Sequence, residues 1–107
     1  MSQSVVGFLR QANDLISVYR PIIFWAGCDG AIFISRLIYW SSTTPDGWFW
    51  KTYQQWYDDT SLSKHKIKSL TEKLQGSGVL EVKLKKNENF TPVLYYRINL
   101  EQLNNSF

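Results

Sequence analysis

The sequence has very few of the residues that bind metals or form covalent cross-links. Its 107 residues include one cysteine, Cys28, and one histidine, His65. A single cysteine cannot form a disulfide within the chain, and a zinc site needs several cysteine or histidine ligands. We therefore expect no metal, no cofactor and no disulfide, which favours a reducing, cytoplasmic setting.

Long uninterrupted apolar runs are also missing. The most apolar stretch, from Pro21 to Trp40, is broken by Asp29 and Arg36, whereas a membrane-spanning helix needs about 20 predominantly apolar residues. The N-terminus has no basic segment followed by an apolar one, as a secretory leader would have. We interpret this stretch as protein core and expect no membrane partner.

Signatures of catalysis are absent as well. A nucleophile pair would have to form from Cys28 and His65, and both have simpler structural roles. Asp58 and Asp59 are adjacent, and neighbours on a helix point about 100° apart, so they do not face one substrate. No glycine-rich loop precedes a helix, as phosphate-binding loops do. The sequence therefore predicts a protein that is not an enzyme and that binds no small-molecule ligand.

Aromatic residues and unevenly distributed charge are what the sequence has in abundance. Aromatic residues make up 16% of the chain, and the formal net charge is +3. Large rings let a small domain bury much apolar area, which is their simplest role. Residues 1–60 carry four Lys or Arg against five Asp or Glu, whereas residues 61–107 carry eight against four. This asymmetry indicates a surface for a polyanion in the second half of the chain.

Periodicity predicts two helices in the first half. Apolar residues recur at steps of three and four in "SVVGFLRQANDLISVYR", which predicts a helix over Gln3–Val18 that ends before Pro21. "RPIIFWAG" is then expected to be extended. A second helix begins near Asp29 and runs through "GAIFISRLIYW". Its predicted buried residues are Ile32, Phe33, Leu37 and Trp40, or their neighbours.

Three further elements have recognisable boundaries. "SSTTPDG" predicts a turn, "WFWKT" a short strand, and Thr52 the cap of a short helix, "YQQWYDDT", whose Tyr53, Trp56 and Tyr57 should pack inward. Ser63 is a good N-cap for a helix over Ser63–Gln75. Its buried stripe is Ile67, Leu70 and Leu74, and "QGSG" ends it.

Two strands follow, separated by a polar loop. "VLEVKLKK" and "PVLYYRINL" alternate apolar and polar residues, which predicts one buried and one exposed face for each. Leu84 and Leu100 are placed on the buried face by this pattern. "KKNENFTP", between them, should project as a loop.

The order of these elements is that of a winged helix-turn-helix, an α+β fold in which a three-helix core is followed by a β-hairpin wing. We predict a single domain over 1–107, with an extension helix over 1–20 and a winged-helix core over 29–100. The third core helix of such a domain lies in the DNA major groove. The extension helix offers a surface for a homodimer.

The predicted DNA-binding residues lie on this helix and on the strand after it. With Ile67, Leu70 and Leu74 turned inward, the opposite face carries His65, Lys68, Ser69 and Glu72. The first three are the expected base-reading residues: His65, Lys68 and Ser69. The expected phosphate contacts are Lys64, Lys66, Lys73, Lys83, Lys85 and Lys86. Glu72 could accept from a cytosine, although pairing with Lys68 or Lys73 is the simpler role.

Four segments resemble the winged-helix domain at the N-terminus of phage and plasmid replication proteins, related to domains of phage transcriptional regulators. They are "AIFISRLIYW", "DGWFWKTYQQW", "LSKHKIKSLTEKLQGSGVLEVKLKK" and "YYRIN", within about Asp29 to Asn99. The resemblance implies binding of duplex DNA at an origin or operator. Ser61 departs from the pattern, since the family often has glycine there, and Phe107 ends the sequence before the separate C-terminal region that the family often carries.

Two other functions remain open at this point. A winged helix can serve protein contact without binding DNA, through the N-terminal helix or exposed rings such as Trp25, Trp48 or Trp50. The same positive charge would also suit a nucleic-acid binder without sequence preference.

Overall fold

A computed structural model describes residues 16–106, and within this range the fold is α+β. Four helices accompany a three-stranded antiparallel sheet. The elements are α1 (Arg20–Ser42), β1 (Phe49–Trp50), α2 (Tyr53–Thr60), α3 (Lys64–Gly76), β2 (Leu80–Lys86), β3 (Pro92–Ile98) and α4 (Leu100–Asn105). The predicted helix over Gln3–Val18, with its homodimer surface, lies mostly outside the described residues, and residues 16–19 are not helical.

Helix α1 corrects the prediction of an extended segment after Arg20. Pro21 lies in the first turn of the helix, where its missing N–H would have had no helical partner. The helix is kinked at Gly27, whose φ of 77° and ψ of 173° are not helical. The predicted helix start near Asp29 therefore corresponds to the second segment of α1.

The length and composition of α1 would also allow it to span a bilayer. In this fold, however, its Phe33, Ile34 and Leu37 are fully buried against the rest of the domain. The interpretation of this apolar stretch as core agrees with that packing.

Helices α2 and α3 begin where their caps predict. The Thr52 hydroxyl accepts a hydrogen bond from the Gln55 backbone at 3.1 Å, and the Gln55 side chain accepts one from the Thr52 N–H at 2.9 Å. The Ser63 hydroxyl accepts from the Lys66 N–H at 3.2 Å. Between the helices, Ser61 adopts the left-handed conformation, with a φ of 63°. This residue turns the chain so that α3 follows α2 after three residues.

The sheet has the order β1-β3-β2, so the last strand lies between the other two. Phe49 pairs with Tyr96 on one side of β3, and Lys83 pairs with Tyr95 on the other. β3 ends at Ile98, and Leu100 begins α4 rather than continuing the strand. The short helix α4 was not predicted; its cap is Asn99, whose side chain accepts from the Gln102 N–H at 3.0 Å.

The centre of the core is Trp56 of α2, which is fully buried. Its ring packs edge-on against Phe33 of α1 at 4.9 Å between centroids and against Tyr96 of β3 at 5.5 Å. Phe49 of β1 lies 6.0 Å away. One indole therefore joins α1, α2 and the sheet, as the aromatic content of the sequence suggested.

Three predicted core residues lie at the surface instead, and one of them is Leu100, which is 53% exposed at the start of α4. Tyr57 is 53% exposed, because it follows the buried Trp56 on α2 and so points about 100° away from it. Leu84 is 71% exposed, and the three residues around it, Lys83, Lys85 and Lys86, are exposed as well. The outer half of the β2–β3 hairpin thus extends beyond the core.

Candidate nucleic-acid interface

Helix α3 exposes the face that the sequence assigned to ligand contact. Ile67, Leu70 and Leu74 are buried, and α3 packs through them against the core. The side chains predicted to read bases or bind phosphates on this helix are all exposed: His65, Lys68, Ser69, Lys64, Lys66 and Lys73. Glu72 is exposed on the same face. The structure therefore brings the three predicted base readers together on an open helix surface.

The lysines of α3 differ in what they contact. Lys66 Nζ lies 3.4 Å from Asp29 Oδ2 in a half-exposed ion pair with the second segment of α1. Lys64 Nζ lies 5.2 Å from the centre of the Tyr53 ring. Lys68 and Lys73 form no ion pair with any residue between 16 and 106. Together with Lys64, whose ring contact does not neutralise its charge, these two are the cations of α3 that no acidic side chain among residues 16–106 pairs with.

The three lysines of β2 are exposed, and two of them lie over aromatic rings. Lys83 Nζ lies 4.1 Å from the centre of the Trp48 ring. Lys85 Nζ lies 5.5 Å from the Tyr95 ring on the neighbouring strand. Such cation–π contacts restrict the stems of the lysines without neutralising their charge. Lys86, the last residue of β2, is exposed and has no such ring contact within the described chain.

Acidic residues offset little of this positive charge. Residues 64–86 carry seven lysines against two glutamates. One glutamate, Glu81, is already paired: Arg97 of β3 donates to both of its carboxylate oxygens, at 2.7 and 3.1 Å. The hydrogen bond from Arg97 lowers the pKa of Glu81 despite partial burial. We call the exposed face of α3 together with Lys83, Lys85 and Lys86 the lysine surface; Lys83 and Lys85 lie on one side of β2 and Lys86 on the other.

Sequence reasoning missed a polar cluster beside the core. Asp59 Oδ2 accepts hydrogen bonds from Arg36 Nε and Trp40 Nε1, each at 3.0 Å, and lies 3.3 Å from Lys51 Nζ. Lys51 is only 9% exposed and its ammonium lies 3.7 Å from the Trp40 ring centre. The cluster joins α1, the end of β1 and α2. No local signal predicts it, because its members come from three separate parts of the chain: α1, the residue after β1, and α2.

We interpret this cluster as one that stabilises the fold. Burial lowers the pKa of Lys51, although the charge and hydrogen bond of Asp59 act in the opposite direction. Asp59 is the single anion between two cations, and its bonds use one carboxylate oxygen. In residues 16–106, no three His, Cys, Asp or Glu side chains come together as metal ligands would, and Cys28 is exposed.

The sequence left open a function in protein contact through exposed tryptophan rings. The three rings named for it, Trp25, Trp48 and Trp50, are half-buried, which weakens this alternative. More exposed apolar side chains lie elsewhere, at Phe24 and Phe90. No family model, no curated protein and no solved structure matches the chain, so its function is inferred from its own residues and their geometry.

Proposed function

We propose that this protein is a winged-helix domain that binds duplex DNA, in the control of phage or plasmid replication or transcription. Supporting the fold assignment, two helices joined by a three-residue turn are followed by a β-hairpin whose second strand pairs with a short strand preceding α2. In the proposal α2 and α3 form the helix-turn-helix, and β2 and β3 form the wing.

The observation that carries the proposal is the lysine surface. A helix with its side chains is about 10–12 Å wide, and the major groove of B-DNA is about 12 Å wide, so α3 fits the groove lengthwise. Entry requires that its outward face be open, and His65, Lys68 and Ser69 are all exposed. In this position His65, Lys68 and Ser69 face base edges, where hydrogen-bond donors and acceptors differ between base pairs.

The remaining lysines supply the affinity that does not depend on sequence. Lys64, Lys66 and Lys73 flank the base-reading face of α3, and Lys83, Lys85 and Lys86 lie on the adjoining strand. Each lysine that neutralises a phosphate releases condensed counterions, which favours binding at low salt. Lys51 is the one lysine of the sequence outside this surface, and it is buried in the polar cluster.

Charge reversal on α3 tests the proposal directly. Lys68→Glu combined with Lys73→Glu changes two side chains that have no ion pair in the described fold, so the stability of the domain should change little. We expect duplex affinity, measured by fluorescence anisotropy with DNA selected from a random pool, to fall at least about 10-fold. Unchanged affinity would exclude α3 as the binding helix.

A control outside the lysine surface carries the charge change of one of these two substitutions. Arg20 is exposed at the start of α1, outside the lysine surface. Arg20→Glu makes the same change per residue, so a general electrostatic effect should appear in it as well. The titration is then repeated with an excess of unlabelled duplex of random sequence as competitor. This distinguishes sequence-specific recognition from binding of nucleic acid without sequence preference.

Protein contact is the second candidate, and exposed apolar side chains on α1 favour it. Phe24 is 84% exposed in the first segment of α1, and Tyr19 just before the helix is exposed too. An interface anchored there would form without DNA. Sedimentation velocity of the full chain and of Phe24→Ser tests it: a dimer lost in the variant supports this interface, and a monomer in both excludes self-association through it.

A further inference from the structure

The hairpin between β2 and β3 ends in a turn that its own hydrogen bonds hold in place. The side-chain oxygen of Asn87 accepts from the N–H groups of Asn89 and Thr91, at 2.9 and 3.0 Å. The Asn87 N–H donates to the Thr91 carbonyl, and the Phe90 N–H donates to the Asn87 carbonyl, each at 2.9 Å. Asn87 itself is buried. The turn is therefore a defined structure, although it lies at the end of the hairpin.

This turn presents Phe90 to solvent in a conformation that phenylalanine rarely adopts. Its φ is 60°, in the left-handed region, and its side chain is 80% exposed. For a residue other than glycine, asparagine or aspartate, this conformation costs roughly 1–2 kcal/mol. An exposed ring gains none of the burial that would offset the cost. Strained residues of this kind concentrate where a protein contacts its ligand.

We infer that Phe90 is a wedge that enters the minor groove of the bound duplex and unstacks one base step. The inference rests on the proposed function and adds to it a mode of DNA deformation. Apolar side chains of minor-groove proteins insert between base pairs in this way and kink the duplex. The minor groove is about 6 Å wide, so a flat ring can enter it while the two strands of a hairpin cannot.

The charges of the hairpin suit this position. Lys85 and Lys86 directly precede the turn, and both are exposed, so they can hold the phosphates that border the groove. Glu88 is the single acidic residue of the turn, and two lysines against one glutamate leave a net charge of +1 over residues 85–91. From Lys83 to Lys86 the strand spans about 10 Å, which carries the turn away from the core.

The test uses the full chain and its selected duplex, with the fluorescent base 2-aminopurine placed in turn at each step beside the site. Stacking quenches this base, so a wedge should raise its fluorescence several-fold at one step. Phe90→Asn removes the ring and keeps a residue that tolerates the left-handed conformation. We expect it to abolish the fluorescence rise and weaken binding at least about 10-fold, with an unchanged salt dependence because no phosphate contact is lost.

Two measurements separate the wedge from a structural role. Thermal unfolding of Phe90→Asn should occur at or above the wild-type temperature, because the strain is relieved. Phe90→Trp keeps a flat ring and should retain both binding and the fluorescence rise. Loss of binding together with a lower unfolding temperature in Phe90→Asn, or loss of the rise in Phe90→Trp, would count against the wedge.

The outcomes also distinguish this inference from the proposed function. If the duplex binds through Lys68 and Lys73 but Phe90→Asn binds equally well and no 2-aminopurine responds, the wedge is excluded and the proposed function stands. If the wild-type chain binds no duplex, both are excluded. Binding to phosphatidylserine-containing vesicles that Phe90→Asn abolishes, with no 2-aminopurine response, would assign the turn to a membrane surface and overturn the inference.

Discussion

Lys51 and Asp59 form an ion pair of 3.3 Å in which the lysine is almost completely buried. The same carboxylate oxygen accepts from Arg36 and Trp40. Because Arg36 and Trp40 belong to α1 and Asp59 to the last turn of α2, these contacts hold the end of α2 against α1. Removing this ion pair should therefore lower the free energy of unfolding and should not change ligand affinity directly.

Replacing Asp59 by asparagine should destabilise the domain. The change leaves the charges of Lys51 and Arg36 close together without an anion, and a hydrogen bond to a charged group contributes roughly 1.5–3 kcal/mol. We expect the free energy of unfolding in urea to fall by about that amount. Asp58→Asn is the matched control, because Asp58 is exposed and bonds only to Gln54 among described residues; its effect should stay within about 0.5 kcal/mol. Equal effects of the two substitutions would contradict the role of Asp59.

The same carboxylate predicts a pH dependence. Burial alone would raise the pKa of Asp59, but hydrogen bonds from Trp40 and Arg36 and the charges of Lys51 and Arg36 lower it below its ordinary value of 3.8. The unfolded chain therefore takes up this proton first as the pH falls. The stabilisation is complete above the ordinary value and is lost as the pH falls below it, through the folded-state pKa. Urea unfolding of the wild type between about pH 7 and pH 2.5 should lose more stability than that of Asp59→Asn. Parallel curves would show that Asp59 does not titrate with a lowered pKa.

Two buried threonines should respond in opposite directions to the same substitution. The Thr60 hydroxyl donates to the Trp56 carbonyl at 2.7 Å and accepts from the Leu62 N–H at 3.1 Å. The Thr71 hydroxyl is buried and has no hydrogen-bond partner among described residues. Thr60→Val should lower the free energy of unfolding by roughly 1–2 kcal/mol, and Thr71→Val should raise it by roughly 1 kcal/mol. Thermal unfolding of both variants measures this; a loss in Thr71→Val would mean that its hydroxyl is satisfied.

The kink in α1 predicts a strong preference for glycine at position 27. Nothing lies within 4 Å of a β-carbon built there, so any cost of Gly27→Ala comes from the backbone, whose φ is 77°. That cost should be about 1–3 kcal/mol in urea unfolding. Gly76→Ala, at the end of α3, also meets no atom within 4 Å and has no positive φ. It should be neutral or stabilising by up to about 1 kcal/mol, and a loss as large as that of Gly27→Ala would point to a different cause.

The phosphate-contacting and the base-reading residues of the lysine surface should affect DNA binding differently. Each phosphate contact contributes about −0.9 to the slope of log affinity against log salt concentration. Lys85→Ala should reduce the steepness of this slope by about 0.9 and weaken binding to all duplexes alike. Ser69→Ala should leave the slope unchanged and relax the preference for the selected sequence. Anisotropy titrations between about 50 and 300 mM salt measure both; a changed slope in Ser69→Ala would contradict its assignment to bases.

Local signals predicted α3 well. Ser63 as its cap and the spacing of Ile67, Leu70 and Leu74 specify both where the helix begins and which side faces inward. The exposed face then follows from helix geometry alone. For this reason the lysine surface was accessible to sequence reasoning, while what it binds stays a prediction.

The errors have equally local causes. Pro21 can follow the end of one helix or lie in the first turn of another, and the residues around it do not distinguish these cases. The strand alternation extends to Leu100, so only the side-chain cap from Asn99 marks the change to helix. Asp58 and Asp59 look alike in sequence, and only packing gives the second one its partners. Ser61 occupies a left-handed position, which explains why glycine would suit that turn.

The position of β3 between β1 and β2 has a consequence for how the domain assembles. Phe49 and Trp50 find no strand partner until residues 95 and 96 arrive, so about the first 90 residues of a growing chain lack a completed sheet. Until then Trp56 has only part of its aromatic surroundings, because Tyr96 is still missing. The contact that completes this aromatic cluster therefore forms only after residue 96 has been synthesised, and a nascent chain halted before Pro92 would leave Trp56 without its Tyr96 contact.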